Sequence, residues 1–275
     1  MPGPAAQVSV IVPALNEAGT IGRVVRGAHE ALPGAAILVV DDGSTDRTAA
    51  IAAAAGADVL SMPFTTGYGA AIQAGIKHAL RSGADVAVIC DGDGQHDPAS
   101  IAALLDAFTA GRADIVVGSR YLVPGTFSAP LPKRLAVRFF ATLAGVCIGQ
   151  RVTDPTSGFK ALNRRAMRYY VSDLLPISFP DADALITAHR VGLLVAEVPV
   201  VMHDRTEGRS MHDGIKGFLY FFNMLFSMFV SVMRRDVFNP EGCDDDSRPP
   251  AEAEGVRDHR GAAVPGADIQ PRQAP

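Results

Sequence analysis

The sequence predicts an α/β protein with a Rossmann-like, mainly parallel sheet and flanking helices, followed by a C-terminal amphipathic helix and a disordered tail. Three observations carry this. In the first 120 residues, short apolar runs alternate with helix-length stretches. Polar, acid-bearing motifs stand directly after those runs, where parallel α/β sheets place their ligands. The chain has 275 residues, 48% of them hydrophobic, enough for one large core or two modest domains.

Val8–Val12, Ile37–Val40, Asp58–Ser61, Val86–Cys90 and Ile115–Val117 read as strands. Their alternation with helices implies right-handed crossovers and a ligand site at the carboxyl ends of the strands. Asp97-Pro98 supplies an N-cap and a first-turn proline ahead of Ile101, Leu104, Leu105 and Phe108, whose spacing makes one apolar helix face. Residues 124–132 are rich in Pro, Gly, Ser and Thr and read as a loop. A helix follows over Leu131–Ile148, bearing Lys133, Arg134 and Arg138, and residues 160–200 add helix and a short strand, Leu194–Pro199. No internal repeat of useful length occurs.

Gly217–Met233 is the most apolar stretch, seventeen residues, or about 25 Å of helix. Lys216, Tyr220, Asn223, Ser227, Ser231 and Arg234 recur every three or four residues and form a narrow polar stripe beside a wide Phe/Leu/Met face. Three readings stand: a helix lying in the plane of a membrane, a helix buried against the domain, and one short span. Beyond it, residues 239–275 hold Pro, Gly, Ala and charge with no Phe, Tyr or Leu, which predicts disorder. The chain thus divides into an α/β region over 1–212, with 131–150 as an interface helix region, an apolar amphipathic helix over 213–238 and a tail over 239–275.

Net charge is −4, yet residues 1–238 carry 21 charges of each sign. A balanced body lacks the broad basic surface that nucleic-acid binding needs, and no nucleic-acid partner is expected. Cys90, Cys147 and Cys243 are odd in number and far apart, with no C-x-x-C, so neither a disulfide framework nor a structural zinc site is expected and a reducing compartment is. Met1–Gln7 carries no Lys or Arg ahead of a very short apolar run, and no secretory signal is expected.

The strongest motif is Asp91-Gly92-Asp93-Gly94-Gln95-His96-Asp97-Pro98, directly after the fourth strand. Two carboxylates one residue apart can share a hard divalent cation, Mg2+ or Mn2+, that bridges a diphosphate, and Gln95 can add a neutral oxygen. Val12–Glu17 and Val39–Asp46 likewise end strands. Asp42 can accept from the N–H edge of uracil or guanine while Pro13 and Ala14 present apolar surface to the base; alternatively Asn16 and Ser44 simply cap helices. Gly67-Tyr68-Gly69-Ala70-Ala71 lacks the third glycine of a dinucleotide fingerprint. Its glycines allow close approach to a ligand or plain helix entry. His78, His96, His189, His203 and His212 show no metal-binding spacing and read as surface or capping residues.

With these strand-end motifs the sequence resembles family 2 glycosyltransferases of the GT-A fold. The resemblance runs from about Val8 to Ser210. It includes Asp91-x-Asp93, Gly118-Ser119-Arg120, Thr153-Asp154-Pro155-Thr156-Ser157-Gly158-Phe159-Lys160 and Glu197-Val198-Pro199-Val200. Within the family the chain is most similar to bacterial relatives of dolichol-phosphate mannose synthases and polyprenyl-phosphate sugar synthases, which end on an Arg-x-x-x-Gly-x-x-Ser-Lys-like loop. Here that loop reads Arg205-Thr206-Glu207-Gly208-Arg209-Ser210-Met211, with Met211 where the dolichol-type members carry lysine. The resemblance implies that Pro13, Asn16, Glu17 and Asp42 hold a nucleotide and that Asp91, Asp93 and Gln95 meet the metal. It also implies that Arg120, with Arg205 or Arg209 and Ser210 of the final loop, meets phosphate groups, which suit a guanidinium fork.

The expected reaction is inverting transfer of a hexose from a UDP- or GDP-sugar to a polyprenyl-phosphate acceptor at the cytoplasmic face of the cell membrane, aided by the metal. A phosphate acceptor is already anionic and needs no strong base. A sugar hydroxyl of a growing envelope glycan is the alternative acceptor and needs one. Asp154 is favoured near the sugar, and Asp181 and Asp183 are the other available carboxylates. Two other classes remain: a nucleotidyltransferase, for which a Gly-rich, lysine-bearing loop after the first strand is missing, and a non-catalytic membrane-binding protein that holds a nucleotide-sugar. Self-association into a homo-oligomer is compatible with all of these.

Overall fold

β1 (Val8–Ala14) runs between two parallel neighbours, β2 (Ala36–Asp41) and β4 (Val86–Ile89), and from Ser9 onward every residue of it is buried. A strand covered on both faces needs an unbroken apolar run rather than an alternating one, and Val10-Ile11-Val12 is such a run. The computed structural model describes residues 6–110, 113–123, 131–173, 175, 181–203 and 215–233. β3 (Asp58–Ser61) extends the sheet beyond β2, while β5 (Ile115–Ser119), β6 (Lys160–Asn163) and β7 (Val195–Pro199) complete the order β3-β2-β1-β4-β6-β5-β7. All pairs are parallel except those of β6, which runs antiparallel to β4 and β5.

β6 is the strand the sequence conceals. Lys-Ala-Leu-Asn has no β-branched residue and suits a helix at least as well. Insertion between β4 and β5 satisfies its backbone on both sides and buries Lys160, Ala161 and Leu162, so tertiary pairing overrides local preference. The other expected strands form, Asp58–Ser61 with both ends as expected and the rest with ends shifted by one or two residues.

On one face of the sheet lie α1 (Ile21–Ala31), α2 (Thr48–Ala54) and α4 (Ile101–Ala110), with Val24, Val25, Ile101 and Leu104 packed on Val10, Val12, Val39 and Val116. The expected cap is present: the Asp97 carboxylate accepts from the Ala99 N–H at 2.9 Å. Pro98–Ser100 first makes a 3-10 turn, and α4 begins only at Ile101. The other face carries α3 (Tyr68–Arg81), α5 (Leu131–Ile148), α6 (Arg164–Tyr170), α7 (Ala182–Arg190) and α8 (Ile215–Met233).

α8 turns part of its polar stripe toward the domain. Met224 and Met228 enter the core, Ser231 is buried beside them, and the Ser227 hydroxyl bonds the Asp183 carboxylate of α7. Ser227 and Ser231 therefore face inward, where α7 supplies a partner for Ser227, while Asn223 stays exposed. Phe222, Phe226, Phe229 and Met233 form the opposite, exposed stripe. Between α5 and α8 runs a groove of about 610 Å³ lined by Leu143, Cys147, Phe222, Phe226, Phe229 and Val232. Among the described residues no helix is long and apolar enough to cross a membrane. The tail expected over 239–275 lies outside the described residues, as do Arg205, Arg209 and Ser210.

Candidate active site

Parallel register brings three strand ends level. Ala14 pairs with Asp41, the Asp42 N–H donates to the Ala14 carbonyl at 2.9 Å, and the Gly92 N–H donates to the Pro13 carbonyl at 3.2 Å. The loops that carry Pro13–Glu17, Asp41–Asp46 and Asp91–Asp97 consequently meet at one edge of the sheet. Thr20, at the start of α1, ties the first loop to the third by donating its hydroxyl to the Gly92 carbonyl at 2.7 Å.

Asn16 stitches the first two loops together. Its N–H donates to Ser44 Oγ at 2.9 Å and its Oδ1 accepts from the Thr45 N–H at 2.9 Å. It does so at φ 55°, a left-handed conformation that asparagine tolerates better than most residues. The Glu17 N–H donates to Thr48 Oγ1 at 2.8 Å. Neither Asn16 nor Ser44 caps a helix; Thr20 and Arg47 hold those positions. Asp42 is buried, and its carboxylate accepts from the Thr66 N–H and hydroxyl, both at 2.7 Å, and from the Gly67 N–H at 2.9 Å. In this arrangement Asp42 holds the 66–67 loop against the second strand end, a role that its spacing did not suggest.

The acidic motif is anchored around Asp91. The Tyr68 hydroxyl donates to Asp91 Oδ1 at 2.8 Å, and the Asp91 N–H donates to His96 Nδ1 at 2.9 Å. Burial, with Asp91 alongside, raises the Tyr68 pKa well above the usual phenol range, so the donor proton stays in place. His96 is buried and stacks on Phe159 with ring centroids 4.8 Å apart, contrary to the surface or capping place expected of it. Burial lowers its pKa against the opposing pull of Asp91 and Asp93, leaving a neutral ring that accepts at Nδ1 and carries its proton on Nε2. Asp93 Oδ1 accepts from the Gln95 N–H at 3.0 Å.

Asp91 and Asp93 offer hard oxygen donors at a strand end, with Gln95 half-buried beside them. Among the described residues no group of three or more His, Cys, Asp or Glu is arranged to hold a cation. This donor set fits a divalent ion whose remaining coordination comes from phosphate oxygens and water, as magnesium sites commonly do.

Arg120, after β5, and Asp154 were expected in separate roles, one on phosphate and one near the sugar. The fold pairs them. Arg120 Nε donates to Asp154 Oδ2 at 2.6 Å, Nη2 donates to Oδ1 at 2.7 Å, and the Arg120 N–H adds a third bond at 3.0 Å. Asp154 is fully buried. Although burial opposes its charge, Arg120 is held above its ordinary pKa by the Asp154 carboxylate. Both oxygens of Asp154 are engaged by Arg120, which fixes the guanidinium in one orientation. Glu197 of β7 supports the pair by accepting from the Thr153 N–H and hydroxyl at 2.8 Å and from the Asp154 N–H at 2.9 Å.

Of the other two candidate carboxylates, Asp181 is buried at the N-cap position of α7, and Asp183 sits under α8 and accepts from the Ser227 hydroxyl and the Ala184 N–H. Burial holds its pKa above the usual carboxylate value. Sequence reasoning thus missed Tyr68 and His96 as partners of Asp91, and named Glu197 only within a motif, without a role. An aromatic immediately after Gly67 and a histidine at the end of an acidic turn were the available signals, and both have commoner explanations.

Residues 9–171 match the profile of glycosyl transferase family 2. The chain is 35% identical to polyprenol monophosphomannose synthase of Mycolicibacterium smegmatis over 77% of its own length and 83% of that protein. It is 30% identical to undecaprenyl-phosphate mannosyltransferase of Micrococcus luteus over 77% of its length and 90% of that protein. Glucosyl-3-phosphoglycerate synthase from Mycobacterium tuberculosis, solved with Mn2+, uridine diphosphate and phosphoglyceric acid, superposes with a TM-score of 0.62 at 22% identity, covering 84% of this chain and 80% of that one. The chain belongs to glycosyl transferase family 2 and is a glycosyltransferase of the GT-A fold.

Proposed function

We propose that this glycosyltransferase moves a hexose, with inversion, from a UDP- or GDP-sugar to a polyprenyl phosphate at a membrane surface. The observation that carries the reading is the commitment of Asp154 to Arg120: the carboxylate best placed by sequence to act as a base is locked in an ion pair. A phosphate acceptor needs no base, since its second pKa lies near 6. The names of the relatives support the same acceptor class.

In this reading Pro13, Asn16, Glu17 and Asp42 shape the nucleotide pocket, Asp42 through the 66–67 loop that it holds. Asp91, Asp93 and Gln95 would hold Mg2+ or Mn2+, which when bound supplies Lewis-acid stabilisation of the departing diphosphate. Arg120, fixed by Asp154 and Glu197, presents its guanidinium to phosphate oxygens in one orientation, so little reorganisation is needed as charge develops. Arg205, Arg209 and Ser210 are assigned to phosphate by sequence pattern alone. Residues 1–212 form the catalytic region. The exposed Phe222, Phe226 and Phe229 of α8 lie in the lipid interface, while Met224 and Met228 keep the helix attached to the domain.

The test is transfer of radiolabelled hexose from UDP- and GDP-sugars with Mn2+ to polyprenyl phosphate in mixed micelles, read as solvent-extractable label. Label on polyprenyl phosphate but not on unphosphorylated polyprenol is the expected result. Label appearing only on a water-soluble glycan would replace the acceptor class. Phe226→Ser with Phe229→Ser should weaken sedimentation with vesicles containing anionic lipid without lowering the melting temperature, and unchanged sedimentation would remove α8 from the interface.

A further inference from the structure

Resting on the metal reading above, we propose that Tyr68 and His96 are positioning residues that hold Asp91 ready for the cation, one from its carboxylate and the other from its backbone. Tyr68 opens α3 directly after Gly67, whose φ of 99° turns the chain so that the phenol points back to the end of β4. Its hydroxyl, 2.8 Å from Asp91 Oδ1, sets the plane of the carboxylate, whose Oδ2 lies 3.7 Å from His96 Nε2. His96 follows Asp91 by five residues, and the tight Gly92–Gln95 turn brings its Nδ1 to 2.9 Å from the Asp91 N–H.

The clamp is closed from a third direction. A Cβ at Gly158 would lie 2.6 Å from Tyr68 Oη and 2.9 Å from Asp91 Oδ2, so the backbone of 158 packs directly on the hydrogen-bonded pair, and any side chain there would have to displace them. The next residue, Phe159, stacks on His96 at an interplanar angle of 11°. The Thr153–Lys160 segment thereby presses on both partners of Asp91. A carboxylate already held in one rotamer loses less freedom when it binds a cation, and hydrogen bonds to metal-ligating carboxylates contribute strongly to affinity.

The experiment is Mn2+ titration of the full chain followed by electron paramagnetic resonance of free Mn2+, with UDP and with GDP present, alongside melting temperature and initial transfer rate. Tyr68→Phe keeps the ring and removes only the hydroxyl. It should weaken Mn2+ binding about 10- to 100-fold, leave the melting temperature near that of the wild type, and recover its rate in excess Mn2+. In His96→Asn the amide oxygen stands where Nδ1 does, so this variant should bind Mn2+ more tightly than His96→Leu. Wild-type affinity in Tyr68→Phe, with Asp93→Asn weakened, overturns this inference alone. Should Tyr68→Phe not fold, equal Mn2+ affinity in His96→Asn and His96→Leu overturns it. Equal affinity of wild type and Asp93→Asn, or no Mn2+ binding by the wild type, overturns the metal reading and this inference with it.

Discussion

The ends of β1, β2 and β4 and the ends of β5 and β7 are built on different electrostatics. In the first region carboxylates are satisfied by backbone N–H groups and hydroxyls: Asp42 by Thr66 and Gly67, Asp91 by Tyr68, Asp93 by the Gln95 N–H. In the second, a buried guanidinium and carboxylate face each other, with Glu197 behind them. The difference teaches where charge is free to act. Asp42 and Asp91, bonded to neutral donors, keep their negative charge, whereas Asp154 has its charge balanced within the protein. The two regions should therefore fail differently when one carboxylate is removed, the first in activity and the second in stability.

The largest effect is expected at Asp93. Asp93→Asn should abolish transfer, a loss of several kcal/mol of transition-state stabilisation, while the urea midpoint stays near that of the wild type. Near-normal rates in saturating Mn2+ would break the first half of the comparison. Asp154→Ala should instead destabilise the fold by about 3–5 kcal/mol, because it leaves the Arg120 charge buried and unpaired. Urea unfolding reads this directly, and a stable, inactive Asp154→Ala would place Asp154 in the chemistry after all.

Asp42→Ala sharpens the contrast within the first region. It removes three accepted hydrogen bonds, with an expected cost of about 1–3 kcal/mol. Loosening the 66–67 loop should raise KM for the nucleotide-sugar far more than it lowers kcat, since contacts made equally in ground and transition states contribute uniform binding. A change confined to kcat would contradict that role.

The smallest effect concerns pH. Burial raises the Asp183 pKa above its ordinary value of 3.8, so ionising it is harder in the folded chain than in the unfolded one. The stability tied to this group is complete below the unfolded pKa and is lost as pH rises through the raised folded value. Asp183→Asn removes that titration while keeping a donor for Ser227 Oγ and an acceptor for the Ala184 N–H. The melting temperature of the variant relative to wild type should accordingly climb as pH increases above about 4. A difference flat with pH would mean that Asp183 ionises as freely folded as unfolded.

Much of the β1–β2–β4 region was legible because its signals are local. Val10-Ile11-Val12 and Val39-Val40 are followed within a few residues by the polar groups that they position, and Asp91-x-Asp93 needs no distant partner to be recognised as a pair of hard oxygen donors. The β5–β7 region was legible as motifs but not as contacts. Arg120 and Asp154 are 34 residues apart, and Glu197 lies a further 43 beyond Asp154. Nothing in the spacing of Gly118-Ser119-Arg120 or Glu197-Val198-Pro199 says which side chains meet. The inward turn of Ser227 and Ser231 on α8 was hidden for the same reason: Ser227 reads as a solvated residue until Asp183 is placed against it.

By itself the sequence determined the α/β class, the strand-end location of the site, the paired carboxylates of the acidic motif and the family. Period, length and turn chemistry are short-range properties that the chain carries wherever it lies. Tertiary structure alone decided that Lys160–Asn163 is a strand, that Asp154 orients Arg120, that Tyr68 and His96 flank Asp91, and that α8 turns its serines inward and its phenylalanines outward. Each of these depends on which buried charge or backbone group finds a partner. That partner is supplied by packing of segments remote in the chain, whose proximity no local pattern encodes.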